Sequence, residues 1–266
     1  MEYKNTKHNK KFKKDTSDLS IVTFKIREAR GTGWLSFNDF KLGRVPSELY
    51  TRLKSLKYLY MSKCHLGGEL PVELGNLSNL VALDVSFNKL VSIPDKIFAN
   101  MKNLEILDIS HNKLTTLPYS VGELDHCKEL MVASNNLVAL PHTIAHMKRL
   151  EIIDASSNMI QTVQGATFTG GLTGTLHILR LANNRLDRLP REVGWLTQLE
   201  ELDVSNNELY FLPATCRSLR RLKVLRFKGN KWSNAAPQYQ EKYEDLNASY
   251  GRKALKTAFT LVHPSA

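Results

Sequence analysis

The residues with the strongest potential for chemistry are few. His142 and His146, in the run His142-Thr143-Ile144-Ala145-His146, stand at i and i+4, the spacing that puts two zinc ligands on one helix face. A zinc hydrolase also needs a glutamate between them and a third ligand, and the sequence supplies neither. The two histidines flank Ile144, the position expected to be buried, so both are expected to face solvent. The glycines of Gln164 to Thr175 (QGATFTGGLTGT) suggest a phosphate loop, but no Gly-Lys-Ser/Thr follows them. Cys64, Cys127 and Cys216 all fall where small core residues belong, and no serine sits in a G-x-S-x-G elbow. Carboxylates recur at equivalent places in a repeating frame instead of forming one isolated pair. These features predict no catalytic residue, no metal and no cofactor.

That repeating frame dominates the chain. The pattern L-x-x-L-x-L-x-x-N-x-L-x-x-L-P reads Leu80-Leu83-Val85-Asn88-Leu90-Ile93-Pro94 and recurs from Leu104, Cys127, Leu150, Leu176 and Leu199, with a shortened copy from Leu222. Its asparagines are Asn88, Asn112, Asn135, Asn158, Asn184, Asn207 and Asn230, most of them 23 or 24 residues apart. A period of this length with this signature is a leucine-rich repeat. L-x-x-L-x-L alternates as a short strand does, so its leucines point to one side and its variable residues to the other. Strands of successive units then lie side by side as a parallel sheet, and the asparagine carboxamides bridge backbone groups of adjacent turns as a ladder. After Leu-Pro, apolar residues stand three and six positions on, as in Val121 and Leu124 after Pro118, which predicts a short helical return with proline at its start. One unit buries too little to offset the ordering of its chain, so the units must stack. The expected architecture is α/β, a curved solenoid of about nine repeats with the sheet on the concave face.

The ends depart from the frame in ways that suggest capping. Upstream, Leu56 to Pro71 fits with Cys64 at the asparagine position, and Leu35 to Pro46 fits with Phe40 there, a residue that cannot bridge backbone groups and so closes the ladder. The segment Gln164 to Thr175 makes its unit longer and is expected to bulge. Three regions follow: a basic, extended or unstructured tail over 1–20, the solenoid over 21–232, and a cap helix with a tail over 233–266.

Net charge is +11, and it gathers at the ends. Residues 1–20 hold six lysines against three acids, residues 217–266 hold eleven Lys/Arg against three, and the stretch between is balanced at twenty of each. Lys10, Lys11, Lys13, Lys14, Arg220 and Arg221 are therefore candidates for anchoring to RNA or to an acidic protein tail. No apolar run is long enough to span a membrane, and the first twenty residues lack the apolar core of a secretory signal, so the cytoplasm is the expected place.

The variable side of the strands is the candidate partner-binding face. Across it run Trp34, Tyr58, Tyr60 and Phe87 as an aromatic corner, then Asp84, Ile106, Asp108, His111, Met131, Ile152 and Asp154, then Arg180, Asp203 and Arg226. Exposed aromatic and aliphatic residues on a concave surface suit a protein interface. The aspartates can equally bond neighbouring Ser or Lys within the sheet, so their column has a structural reading beside the recognition one.

From about Arg30 to Trp232 the chain resembles intracellular leucine-rich-repeat proteins of the Ras-suppressor and short leucine-rich-repeat-containing type. The likeness rests on N-x-L-x-x-L-P, on the opening Ala29 to Phe37 (ARGTGWLSF) and on the Tyr-rich basic stretch Gln238 to Lys253. It implies a non-enzymatic scaffold that binds another protein and no small-molecule substrate. The alternative is a structural subunit of a large assembly, a ribonucleoprotein or a ciliary or cytoskeletal complex, held by its basic termini.

Overall fold

A computed structural model describes residues 19–231. Nine three-residue strands form one parallel sheet: Trp34–Ser36, Tyr58–Tyr60, Ala82–Asp84, Ile106–Asp108, Glu129–Met131, Ile152–Asp154, Ile178–Arg180, Glu201–Asp203 and Val224–Arg226. Their central residues Leu35, Leu59, Leu83, Leu107, Leu130, Ile153, Leu179, Leu202 and Leu225 stand in register across the sheet, all buried. A one-residue slip would turn this entire row to solvent, so the leucine spacing itself fixes the register.

The asparagine ladder forms as expected. Asn112 Nδ2 donates to the carbonyl of Val85 one repeat back (3.0 Å) and to that of Ile109 in its own turn (3.1 Å), while its Oδ1 accepts the Leu90 N–H (3.0 Å). The same set recurs down to Asn230, which serves Val204 and Leu209. Each asparagine thus satisfies backbone groups that stacking has cut off from water. At the upstream end Cys64 takes the place: its Sγ donates to the Phe37 carbonyl at 2.9 Å, and its N–H reaches Asn88 Oδ1 at 3.0 Å. Phe40, one repeat earlier, is half-buried edge-on to Phe37 and ends the ladder. The residue before each ladder position from Cys64 to Asn207, among them Lys63, Phe87, His111, Ser157 and Asn206, has φ between 51° and 56°, and Gly229 before Asn230 has φ 72°. This left-handed bend is what turns the chain away from the sheet.

The outer wall is built from five-residue 3-10 helices such as Tyr119–Glu123, His142–His146 and Arg191–Trp195, each with its proline as N-cap. Gly122 and Gly194 are required there, because a Cβ on either would lie 2.3 Å from a backbone carbonyl of the next turn. A second ladder runs along the wall's edge: Asn79 Nδ2 donates to the Lys54 carbonyl (2.8 Å), Asn103 Nδ2 to Ser78 (3.1 Å) and Thr197 Oγ1 to Thr173 (3.0 Å). Gly67–Glu69 and Lys89–Ser92 pair as a small parallel sheet beside the main one.

Two expectations require correction. The proposed boundary at residue 20/21 falls inside an α-helix, α1, spanning Leu19–Thr32, so the first part of the opening Ala29 to Phe37 is its last turn. Val22, Ile26 and Ala29, at helical spacing, pack on the core, and the helix covers the edge strand Trp34–Ser36. Only these three of the helix's apolar residues face the core, while others such as Phe24 are exposed, so the inward stripe is narrow and its helical period weak in the sequence. Second, Gln164 to Thr175 is not a loose bulge. It winds into two 3-10 helices, Gly165–Phe168 and Gly170–Gly174, and buries Thr167, Phe168 and Leu172. The proposed cap over 233–266 and the Trp232 position lie outside the described residues.

Candidate interaction surface

On every strand the buried central residue is flanked by two side chains on the concave face, so the surface is two columns deep and nine strands wide. At its upstream end Trp34 and Tyr58 are exposed, and the Trp34 and Tyr60 rings meet at 6.0 Å between centroids. Ile106 is exposed, whereas Ala82 between Tyr58 and Ile106 is buried beneath its larger neighbours. Along the rim, the left-handed residues place Phe87 and His111 one above the other, with their rings stacked at 3.9 Å and 11°, and Lys63 Nζ lies 5.3 Å from the Phe87 centroid. Phe87 is a bulky residue in a left-handed conformation, and ring stacking with His111 helps to hold it there.

The aspartate column has a structural duty. Asp84 Oδ1 accepts the Ser86 N–H (2.8 Å) and Asp154 Oδ1 the Ser156 N–H (3.0 Å), while Asp108 Oδ1 accepts both the Ser110 N–H (2.9 Å) and its hydroxyl (2.6 Å), as Asp203 does from Ser205. These bonds fasten the turns after these four strands. The column differs in what surrounds its free oxygens. Asp84 and Asp108 are register partners on adjacent strands, and among the described residues no cation pairs with either. Burial, and then the charge of Asp108, push the Asp84 carboxyl above its ordinary value, against the pull of its Ser86 hydrogen bonds.

Downstream the carboxylates are neutralised. Arg180 reaches Glu201 Oε1 through Nε (2.9 Å) and Asp154 Oδ2 through Nη1 (3.6 Å). Arg226 Nη1 lies 2.6 Å from the same Glu201 oxygen and 3.7 Å from Asp203 Oδ2. Burial alone would raise the Glu201 carboxyl, but the hydrogen bonds from the two arginines outweigh it and hold it below its usual range. Glu201 is the residue around which this cluster forms, and it was absent from the expected site. Its signal was available, since Glu201 stands 21 residues after Arg180 and 25 before Arg226, within one repeat of each.

Of the other expected residues, Met131 and Ile152 are half-buried between the two zones. Arg220 and Arg221 are exposed on the last repeat, while Lys10, Lys11, Lys13 and Lys14 lie outside the described residues. His142 and His146 are exposed, and His142 rests against Tyr119 at 5.7 Å. Cys64, Cys127 and Cys216 are buried free thiols, each pushed up to about 12 chiefly by burial. No helix among the described residues is long and apolar enough to cross a membrane.

Comparison with known proteins agrees with this geometry. Family models described as leucine rich repeat match residues 78–137 and 174–231, and a further one matches 55–77. Over 61 residues the chain is 38% identical to human lumican, covering 23% of this chain and 18% of lumican, and equally to chicken lumican. It thus spans less than a fifth of the length of those relatives. Among solved structures, a Leptospira interrogans leucine-rich-repeat protein aligns with a TM-score of 0.70 at 28% identity, over 85% of this chain and 61% of the other. The Arabidopsis receptor kinase HAESA, in complex with the peptide hormone IDA and the co-receptor SERK1, aligns at 0.64 with 31% identity, over 76% of this chain and 34% of that one. The leucine-rich-repeat ectodomain of the Arabidopsis thaliana receptor kinase GASSHO1/SCHENGEN3, in complex with CASPARIAN STRIP INTEGRITY FACTOR 2, aligns at 0.65 with 29% identity, over 73% and 24%. The matched repeats, the ladder and the single parallel sheet agree: the chain belongs to the leucine-rich-repeat proteins.

Proposed function

We propose that this chain is a non-catalytic scaffold, of the short intracellular type that the sequence resembles, which holds another protein on its concave face. Repeats of this kind generally mediate protein–protein interaction, and the structurally similar receptor kinase HAESA has been solved with a peptide hormone and a co-receptor bound. The observation that carries the reading is the exposure of Trp34, Tyr58, Ile106 and Phe87 together on or beside one face, where apolar side chains serve no core. Three free, buried cysteines with protonated thiols support a reducing compartment, the cytoplasm.

The test uses a partner isolated from cells on the full chain. Replacing Trp34 and Tyr60 together by alanine should weaken its binding by about 2 kcal/mol with the melting temperature little changed. Equal affinity of the double variant and the original chain would move the interface off this face.

A second reading, a subunit fixed in a large assembly through basic ends, has one observation in its favour. Lys223, Arg226 and Lys231 are committed to Glu200, Glu201 and Glu208, but Arg220 and Arg221 are exposed and engage no carboxylate at ion-pair distance among the described residues. Under that reading, Arg220→Ala with Arg221→Ala lowers the salt slope of RNA association by roughly 1.4 to 1.8 in log–log terms, about 0.7 to 0.9 for each contact. An unchanged slope removes those two residues from any such anchor.

A further inference from the structure

The exposed apolar side chains of the concave columns are confined to the upstream strands. Trp34, Tyr58 and Ile106 are exposed there, with Phe87 beside them, whereas their downstream counterparts Ile152, Ile178 and Val224 are half-buried. The same division holds for charge. Asp154 and Asp203 keep an arginine from the adjacent strand within 3.7 Å, while Asp84 and Asp108 face each other across neighbouring strands, roughly 4.8 Å apart in a sheet of this kind. All four aspartates fasten the same turn, so the turn does not explain why two of them lack a counter-ion. Two half-buried like charges side by side destabilise the folded chain unless a cation joins them. Lys63, the cation on that flank, lies over the Phe87 ring and is not within ion-pair distance of either carboxylate.

Resting on the concave-face reading above, we infer that the strands from Trp34–Ser36 to Ile106–Asp108 receive a protein segment bearing a lysine or arginine flanked by apolar side chains. The cation sits between Asp84 and Asp108, in the role that Arg180 and Arg226 fill for the downstream aspartates. Its apolar neighbours lie against Tyr58 and Trp34 on one side and against Ile106 and Phe87 on the other. The downstream strands present a face already neutralised from within, which offers an incoming charge little gain.

The probe is a displayed library of random nine-residue peptides selected on the immobilised full chain. Peptides enriched in Lys or Arg next to aromatic or aliphatic residues are expected, with binding weakened at least tenfold by Asp84→Asn with Asp108→Asn. Asparagine keeps the Oδ1 that accepts the serine N–H, so the turn survives and only the charge is lost. Enriched peptides without a basic residue, no enrichment at all, or equal binding to the Asn variant would overturn the proposal. Parallel measurement on Trp34→Ala with Tyr60→Ala separates the two readings. Loss there but not in the Asn variant leaves the concave face standing and removes only the cation, and loss in neither removes both. Binding that appears only after Lys10, Lys11, Lys13 and Lys14 are changed to Gln would give the face to the chain's own basic segment. A dimer that disperses in the Asn variant would give it to a second copy. Either outcome overturns the proposal.

Discussion

At Asp84 and Asp108 the aspartate column faces its own kind, and at Asp154 and Asp203 the same column faces arginine. The two regions share strand register, ladder and turn, so their backbones are equivalent, and the difference lies in side chains one repeat away. Downstream, Glu201 holds Arg180 and Arg226 in one network, which stabilises the fold and closes the surface. Upstream, the two carboxylates meet no cation at ion-pair distance among the described residues, and Trp34, Tyr58 and Phe87 stand exposed beside them.

The largest expected effect tests whether the chassis is common to both regions. Asn88→Ala and Asn207→Ala should each destabilise by about 3 kcal/mol, because each leaves buried backbone N–H and C=O groups without partners. Urea unfolding of the two variants should give similar losses, and a loss confined to one end would show that the repeats are not equivalent.

Next come opposite signs for charge removal. Glu201→Gln should cost about 1 to 2 kcal/mol at pH 7, since it removes a charge held by two arginines. The folded carboxyl of Glu201 is lowered from 4.5, so its contribution is present above that pH and fades as the pH falls through the folded value. The variant and the original chain should therefore converge in acid.

Asp84→Asn should instead raise stability at pH 7 by about 0.5 kcal/mol. Here the folded carboxyl is raised from 3.8, so its favourable contribution exists below that pH and is lost as the pH rises through the folded value. The gain from Asn should vanish near pH 3.5. Melting curves of the two variants at both pH values would break the comparison if both substitutions moved stability in one direction.

The smallest effect concerns the shared bend. Ser157 is exposed with φ 56°, so Ser157→Gly relieves left-handed strain while adding freedom to the unfolded chain, for a net gain of a few tenths of a kcal/mol. Ser157→Val should lose clearly more than that, and matching melting temperatures for the two variants would contradict the bend's role.

Much of this was legible without coordinates. The strands, the row of buried leucines, the asparagine ladder and the proline-led returns follow from a period of about 23 residues, and all are present. The strand aromatics Trp34, Tyr58 and Tyr60 were legible too, because alternation in a strand assigns each residue to a face, whereas Phe87 reaches the rim through a left-handed turn. Helix α1 was harder to see, with Val22, Ile26 and Ala29 as its whole inward stripe. The packing of Phe168 and Leu172 was hidden by a glycine-rich composition that looks loose, although Gly170 is needed where a Cβ would lie 2.7 Å from the Ala145 carbonyl.

The amino-acid sequence by itself determined the repeat, its register and which side chains face outward, because periodicity is a local property that each unit states again. Only the tertiary structure decided which aspartates meet an arginine on the adjacent strand and which meet no cation among the described residues. That depends on residues 21 to 25 positions away arriving within 4 Å, as Arg180 and Arg226 do at Glu201 and as no described cation does at Asp84 or Asp108. Stacking converts sequence distance into contact, and charge then sorts equivalent positions into a closed half and an open one.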